Sequence, residues 1–173
     1  MQIIIKKWNS ILLWGIIIDM SMENEYARLA MRYTRHLSHL HIPYLFAPGS
    51  SASDLVHRLR WVGTKEGFEL PIFYTLDHAD SVALTNLGHN QTRIILKPIL
   101  QQYHSKTIYF MDDYVKSGSK ICMLRANLRL MFGLNTSFEI MVSSNSKKDY
   151  GKDVNVFSPN FLLANWLDHK YHD

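Results

Sequence analysis

The chain has 173 residues, 47% hydrophobic and 20% charged, with a formal net charge of +4. This composition excludes a disordered or fibrous chain, and the length suits one globular domain over residues 1–173 with a full core. The basic excess is diffuse, with no Lys/Arg run longer than two residues, which argues against a nucleic-acid partner; a single cysteine, Cys122, excludes an internal disulfide.

Residues 1–20 are apolar but interrupted by Lys6, Lys7, Asn9 and Ser10. The longest clean stretch, Ile11 to Ile18, is eight residues, far short of the roughly 20 needed to span a bilayer. No small-residue cleavage site follows, so two short strands and a cytoplasmic protein without a membrane partner are expected. Ser21 then opens a helix in which Tyr26, Leu29, Ala30, Tyr33, Leu37 and Leu40 recur at helical spacing up to about His41. Pro43 to Ala47 reads as a short buried strand, Pro48 to Ser51 as a turn, and Ala52 to Val62 as a second helix. Leu70 to Leu76 reads as a strand. The polar stretch Asp77 to Asn90 reads as a long loop; its Asp77, His78, Asp80 and His89 suit solvated positions better than a metal cluster. Arg93 to Tyr103 suggests a helix, with Pro98 confined to its first turn or breaking it.

Thr107 to Lys120, TIYFMDDYVKSGSK, is the most informative stretch. An apolar strand ends in Asp112 and Asp113, a Ser-Gly-Ser loop follows, and an amphipathic helix runs on to Gly133, with Cys122 expected as a small buried apolar residue in it. In α/β proteins ligands bind beyond the carboxyl ends of the strands. A loop at a helix N-terminus presents free N–H groups and the positive end of the dipole to a phosphate. Adjacent carboxylates can accept hydrogen bonds from vicinal sugar hydroxyls or hold Mg²⁺ through water. Further strands are expected at Phe138 to Ser143 and Val154 to Phe157, and Pro159 to His169 closes the chain. Strands alternating with helices imply a parallel sheet covered on both faces. Pro48, Gly49 and Ser50 form a second strand-to-helix turn able to hold an anion on backbone N–H groups.

The motif Asp112 to Lys120 resembles the phosphoribosyltransferase signature: apolar strand, acidic pair, variable positions, Ser/Thr-Gly, helix. The outline is similar to the hypoxanthine-guanine and xanthine-guanine branch. The resemblance implies a parallel-sheet phosphoribosyltransferase-type fold with a small hood from the N- and C-terminal segments. It implies a Mg²⁺-dependent transfer of phosphoribose from phosphoribosyl pyrophosphate to a purine-type base. Asp112 and Asp113 would be the catalytic ribose pair. Val115, Lys116, Ser117, Gly118, Ser119 and Lys120 would bind the 5′-phosphate, and Pro48, Gly49 and Ser50 the pyrophosphate. Phe161 or Trp166 would stack on the base, with Lys147 or Lys148 at its exocyclic oxygen. Asp168 would join Asp112 and Asp113 beside the metal, and Asp77 to Gly88 would be a mobile lid. Homo-oligomers are common in that family.

Three positions depart from the pattern. Lys116 stands where the purine branch has an aspartate, Lys120 replaces the loop's final threonine, and the basic residue of the pyrophosphate loop is missing. They leave open a catalytically impaired relative that regulates by binding a nucleotide or phosphoribosyl pyrophosphate.

Overall fold

The computed structural model describes residues 2–76, 94, 96–97, 106–145 and 148–172, and for 2–18 and 172 it describes the backbone. The first element is one helix, α1 (Gln2–His39), in place of the expected pair of strands. Isoleucine-rich runs favour strands by local propensity. However, residues 2–20 contain no proline and no turn dipeptide to separate two strands, and Gly15 alone costs a helix only about 1 kcal/mol. Ser21 is therefore an interior residue and caps nothing. The helical stripe was legible further on: Tyr26, Leu29, Ala30, Tyr33 and Leu37 are all buried. Among the described residues no helix is long and apolar enough to cross a membrane.

His41, at φ 51°, turns the chain out of α1. β1 (Tyr44–Pro48) follows and is buried along its whole length, as a strand covered on both faces must be. α2 (Ser50–Glu66) extends beyond the expected Ala52–Val62 at both ends, between Gly49 and the left-handed Gly67. β2 (Ile72–Leu76) completes the first unit. The lid and the four possible metal ligands within Asp77 to Asn90 lie outside the described residues. So does most of Arg93 to Tyr103, although 94, 96 and 97 are helical and Leu96 is buried. Then come β3 (Thr107–Val115), α3 (Ser119–Phe132), β4 (Asn135–Ser143), β5 (Val154–Pro159) and α4 (Phe161–His172).

The five strands form one sheet in the order β2-β1-β3-β4-β5, with every neighbouring pair parallel. The fold class is thus α/β with a fully parallel sheet. One face carries α1, α2 and α4, whose Tyr33, Leu55, Leu59, Leu163 and Leu167 pack on Leu45, Met111 and Met141. The other face carries α3, whose Ile121, Leu124 and Leu128 meet Phe46, Ile108, Phe110 and Ile140. The terminal segments are therefore layers of the core and not a small hood. Across the α3 face the rings of Phe46, Phe110 and Phe138 form a row, with centroids 5.8 and 5.4 Å apart. Burying each such ring is worth about 1.5–3 kcal/mol. The stripe of α3 falls at 121, 124 and 128, so Cys122 points outward and is exposed, correcting its expected burial.

Candidate functional site

In this strand order the connections reverse direction between β1 and β3. That reversal opens a crevice at the carboxyl ends of the two strands, where ligands of open α/β sheets bind. The turn Pro48-Gly49-Ser50 flanks it on the β1 side and the loop Lys116–Ser119 on the β3 side.

The loop is built to turn sharply. Gly118 has φ 78°, and a Cβ there would sit 2.9 Å from the Tyr150 ring. Both conditions require glycine. Gly118 O accepts the amide of Cys122 at 3.0 Å, which starts α3. The Ser117 hydroxyl lies 2.9 Å from the Ser119 hydroxyl and accepts the Ser119 N–H at 3.3 Å, so it covers the helix N-terminus where an anion would otherwise sit. Lys148 donates to Ser117 O. Lys116, Ser117, Gly118, Ser119 and Lys120 line a single cleft of about 210 Å³ together with Val115, Asp112 and Asp168. Of the residues expected at the site, the fold brings these together.

Two ion pairs lie in the lining of this cleft. Lys120 Nζ donates to Asp112 Oδ2 at 2.7 Å, and Lys116 Nζ donates to Asp168 Oδ2 at 2.5 Å. The Tyr114 hydroxyl donates to the other oxygen of Asp168 at 3.2 Å. Asp112 also receives the backbone N–H of Asp113, at 3.1 Å. The Asp112 carboxylate holds the Lys120 ammonium above its ordinary pKa, although partial burial opposes this.

Asp113 has a different setting. Adjacent residues of a strand face opposite sides of the sheet. Asp112 shares the face of Phe110, whereas Asp113 shares the face of Met111, beneath the layer of α1, α2 and α4. Asp113 is completely buried, and neither carboxylate oxygen has a hydrogen-bond partner of ordinary geometry among the described residues. Burial first, and then the charge of Asp112, push its carboxyl well above the usual range; the Ser51 hydroxyl and Lys120 oppose this by less. On the same side the hydroxyls of Tyr26 and Tyr33 are buried without a hydrogen-bond partner among the described residues. Asp113 is therefore not in the lining of the cleft with Asp112.

The other expected residues are dispersed. Pro48, Gly49 and Ser50 lie at the end of β1 outside the lining of the cleft. Gly49 (φ 98°) has open space where a Cβ would be, but its N–H is committed to Leu76 O at 3.1 Å. Phe161 is 61% exposed at the start of α4 and does not line the cleft. Trp166 lies elsewhere: its indole N–H donates to Asp19 at 2.8 Å, and Lys170 sits 4.6 Å from its ring. Lys147 lies outside the described residues.

Tyr150 and Tyr114 belong to the site but carried no sequence signal of their own. Tyr150 is held over Gly118 from behind. Arg125 makes two hydrogen bonds to the Asp153 carboxylate, at 2.8 and 2.6 Å, and a third to Tyr150 O at 2.8 Å. Thr136 adds a bond to Asp153 at 3.0 Å. Bidentate Arg–carboxylate pairs combine strength with fixed geometry. The variant Arg125→Met is expected to lose about 1–2 kcal/mol of stability in chemical denaturation and to free the segment around Tyr150. An unchanged denaturation midpoint would show that this clamp does not hold the segment.

Among the described residues, the carboxylates of this cleft are a poor fit for the Mg²⁺ that the family resemblance implies. Asp112 and Asp168 each already carry a lysine ammonium, and Asp113 is buried, with its carboxyl pushed well above the usual range. Among the described residues no group of three His, Cys, Asp or Glu side chains could hold a metal ion. Compared with known protein families, with curated proteins and with solved structures, the chain matches none significantly.

Proposed function

We propose that this chain is a phosphoribosyltransferase-like protein that binds a ribose 5′-phosphate ligand, either phosphoribosyl pyrophosphate or a nucleotide. The observation that carries this reading is the convergence of Asp112, residues 115–120 and Asp168 on one cleft beside the reversal of the strand order. The backbone at the start of α3 suits a phosphate, as do the ammonium groups of Lys116 and Lys120. On binding, the phosphate would take the place that the Ser117 hydroxyl now fills at the Ser119 N–H. Asp112 keeps lone pairs for a ribose hydroxyl beyond its bonds to Lys120 and the Asp113 amide.

Transfer of phosphoribose to a purine-type base would need further fittings, and the lysine-paired carboxylates favour the alternative of a nucleotide- or phosphoribosyl pyrophosphate-binding regulator. Calorimetric titration with phosphoribosyl pyrophosphate, ribose 5-phosphate and nucleoside 5′-monophosphates tests binding. Pyrophosphate release with a panel of bases separates the two roles. Binding without release on any base supports the regulator, release supports the transferase, and no binding of any of these ligands removes both.

A further inference from the structure

Resting on the 5′-phosphate reading of this cleft, we infer that its phosphorylated ligand binds without a divalent cation, and that the ammonium groups of Lys116 and Lys120 supply the positive charge. Two ion pairs in the lining of the cleft carry the inference. In the cleft Asp112 and Asp168 are each matched by one lysine, at 2.7 and 2.5 Å. A divalent cation bound by both carboxylates would compete with an ammonium group at each of them and would lie beside two like charges.

A phosphate meets no such obstacle. An ammonium has three donors, and each lysine uses one of them on its carboxylate, so two remain for phosphate oxygens. The lysine side chains are 55% and 44% exposed, whereas those of Asp168 and Asp112 are 26% and 9% exposed. The carboxylates thus lie deeper and the cations face the opening. Lys148, held at Ser117 O, adds a third cation beside the loop. An entering anion therefore meets positive charge first, and the acids behind it keep the ammonium groups charged and in place.

The test compares the affinity for ribose 5-phosphate and for a nucleoside 5′-monophosphate in excess MgCl₂ and in EDTA. These ligands are chosen because phosphoribosyl pyrophosphate binds Mg²⁺ itself. The expected result is a Kd that differs by less than about threefold between the two conditions, under 1 kcal/mol. A greater gain with Mg²⁺ overturns the inference and leaves the binding site standing. Absence of binding in both conditions overturns the 5′-phosphate reading as well. Lys116→Met and Lys120→Met are each expected to weaken binding about tenfold or more, the loss of one charged hydrogen bond. They should also make it Mg²⁺-dependent, because each frees a carboxylate. Lys116 is the more exposed of the two, so its variant keeps the test decisive if Lys120→Met fails to fold. Unchanged affinity in Lys116→Met overturns the role of that lysine.

Discussion

Asp113→Asn is expected to stabilise the protein at neutral pH, by about 1–3 kcal/mol in chemical denaturation. The reason is the setting of Asp113 under the α1, α2 and α4 layer, fully buried and with neither oxygen in a hydrogen bond of ordinary geometry among the described residues. Its folded pKa is raised by burial and by the neighbouring Asp112 charge. The sign follows from proton linkage. Between the unfolded value of about 3.9 and the raised folded one, the unfolded chain has released this proton while the folded chain still holds it. Stability therefore falls as pH rises from that value toward the folded one, and the group gives its best contribution in acid. Asparagine is a neutral isostere that does not titrate, so the variant should lose part of this decline. Some decline should remain, because burial also raises Glu139, against the opposing contacts from Asn155 and His36. Denaturation midpoints measured in mildly acidic and in neutral buffer check both points. A variant less stable than the parent at neutral pH, with the same pH slope, would show that Asp113 is ionised and satisfied in the folded chain.

Gly118→Val is expected to cost about 2–3 kcal/mol and to abolish binding of phosphorylated ligands. The left-handed backbone at φ 78° costs a side-chain-bearing residue roughly 1–2 kcal/mol, and a branched Cβ is the worst case. The rest comes from the Tyr150 ring, 2.9 Å from the site of the new Cβ, which must swing away and disturb Lys148 at Ser117 O. Gly118→Ala has the same backbone conflict with less bulk and should fall between. Thermal melts report the first effect and titration with ribose 5-phosphate the second. Parental affinity in Gly118→Val would remove the loop from the binding site.

What could be read from the sequence follows the distance over which residues act. The strand, acidic pair, loop and helix of residues 107–132 are contiguous, and their local patterns agree with one another, so the local structure at the centre of the candidate site was legible. Asp168, 52 residues from Lys116, was reached by resemblance alone, and the fold does bring it to the same cleft. Trp166 is two residues away in sequence, yet on a helix that offset turns a side chain to another face, where Asp19 holds it. The closing segment was expected without a helical register, so this separation could not be foreseen. The opposite facing of Asp112 and Asp113 could have been, because a strand alternates. The misread N-terminus has a different cause: short isoleucine-rich runs fit a buried strand and a buried helix equally well. Tyr150 was invisible because contacts between residues distant in sequence place it over Gly118, among them the Arg125–Asp153 clamp, whose residues are 28 apart.

The reversal of strand order between β1 and β3 also governs the order in which the molecule assembles. A parallel sheet contains no hairpins, so each neighbouring pair must wait for a crossover to form. The β1–β3 pair spans the greatest separation: the Tyr44 hydroxyl reaches Thr107 O across 63 positions of chain. Distant pairings must meet their loop-closure entropy before they return any contact energy, and they slow folding accordingly. The crevice between β1 and β3 exists only after that pairing has closed, so the candidate site is expected to be among the last features a refolding chain completes. A nascent chain that has released residues 1–76 holds β1, α2 and β2 but neither the loop Lys116–Ser119 nor the strand β3 that positions it.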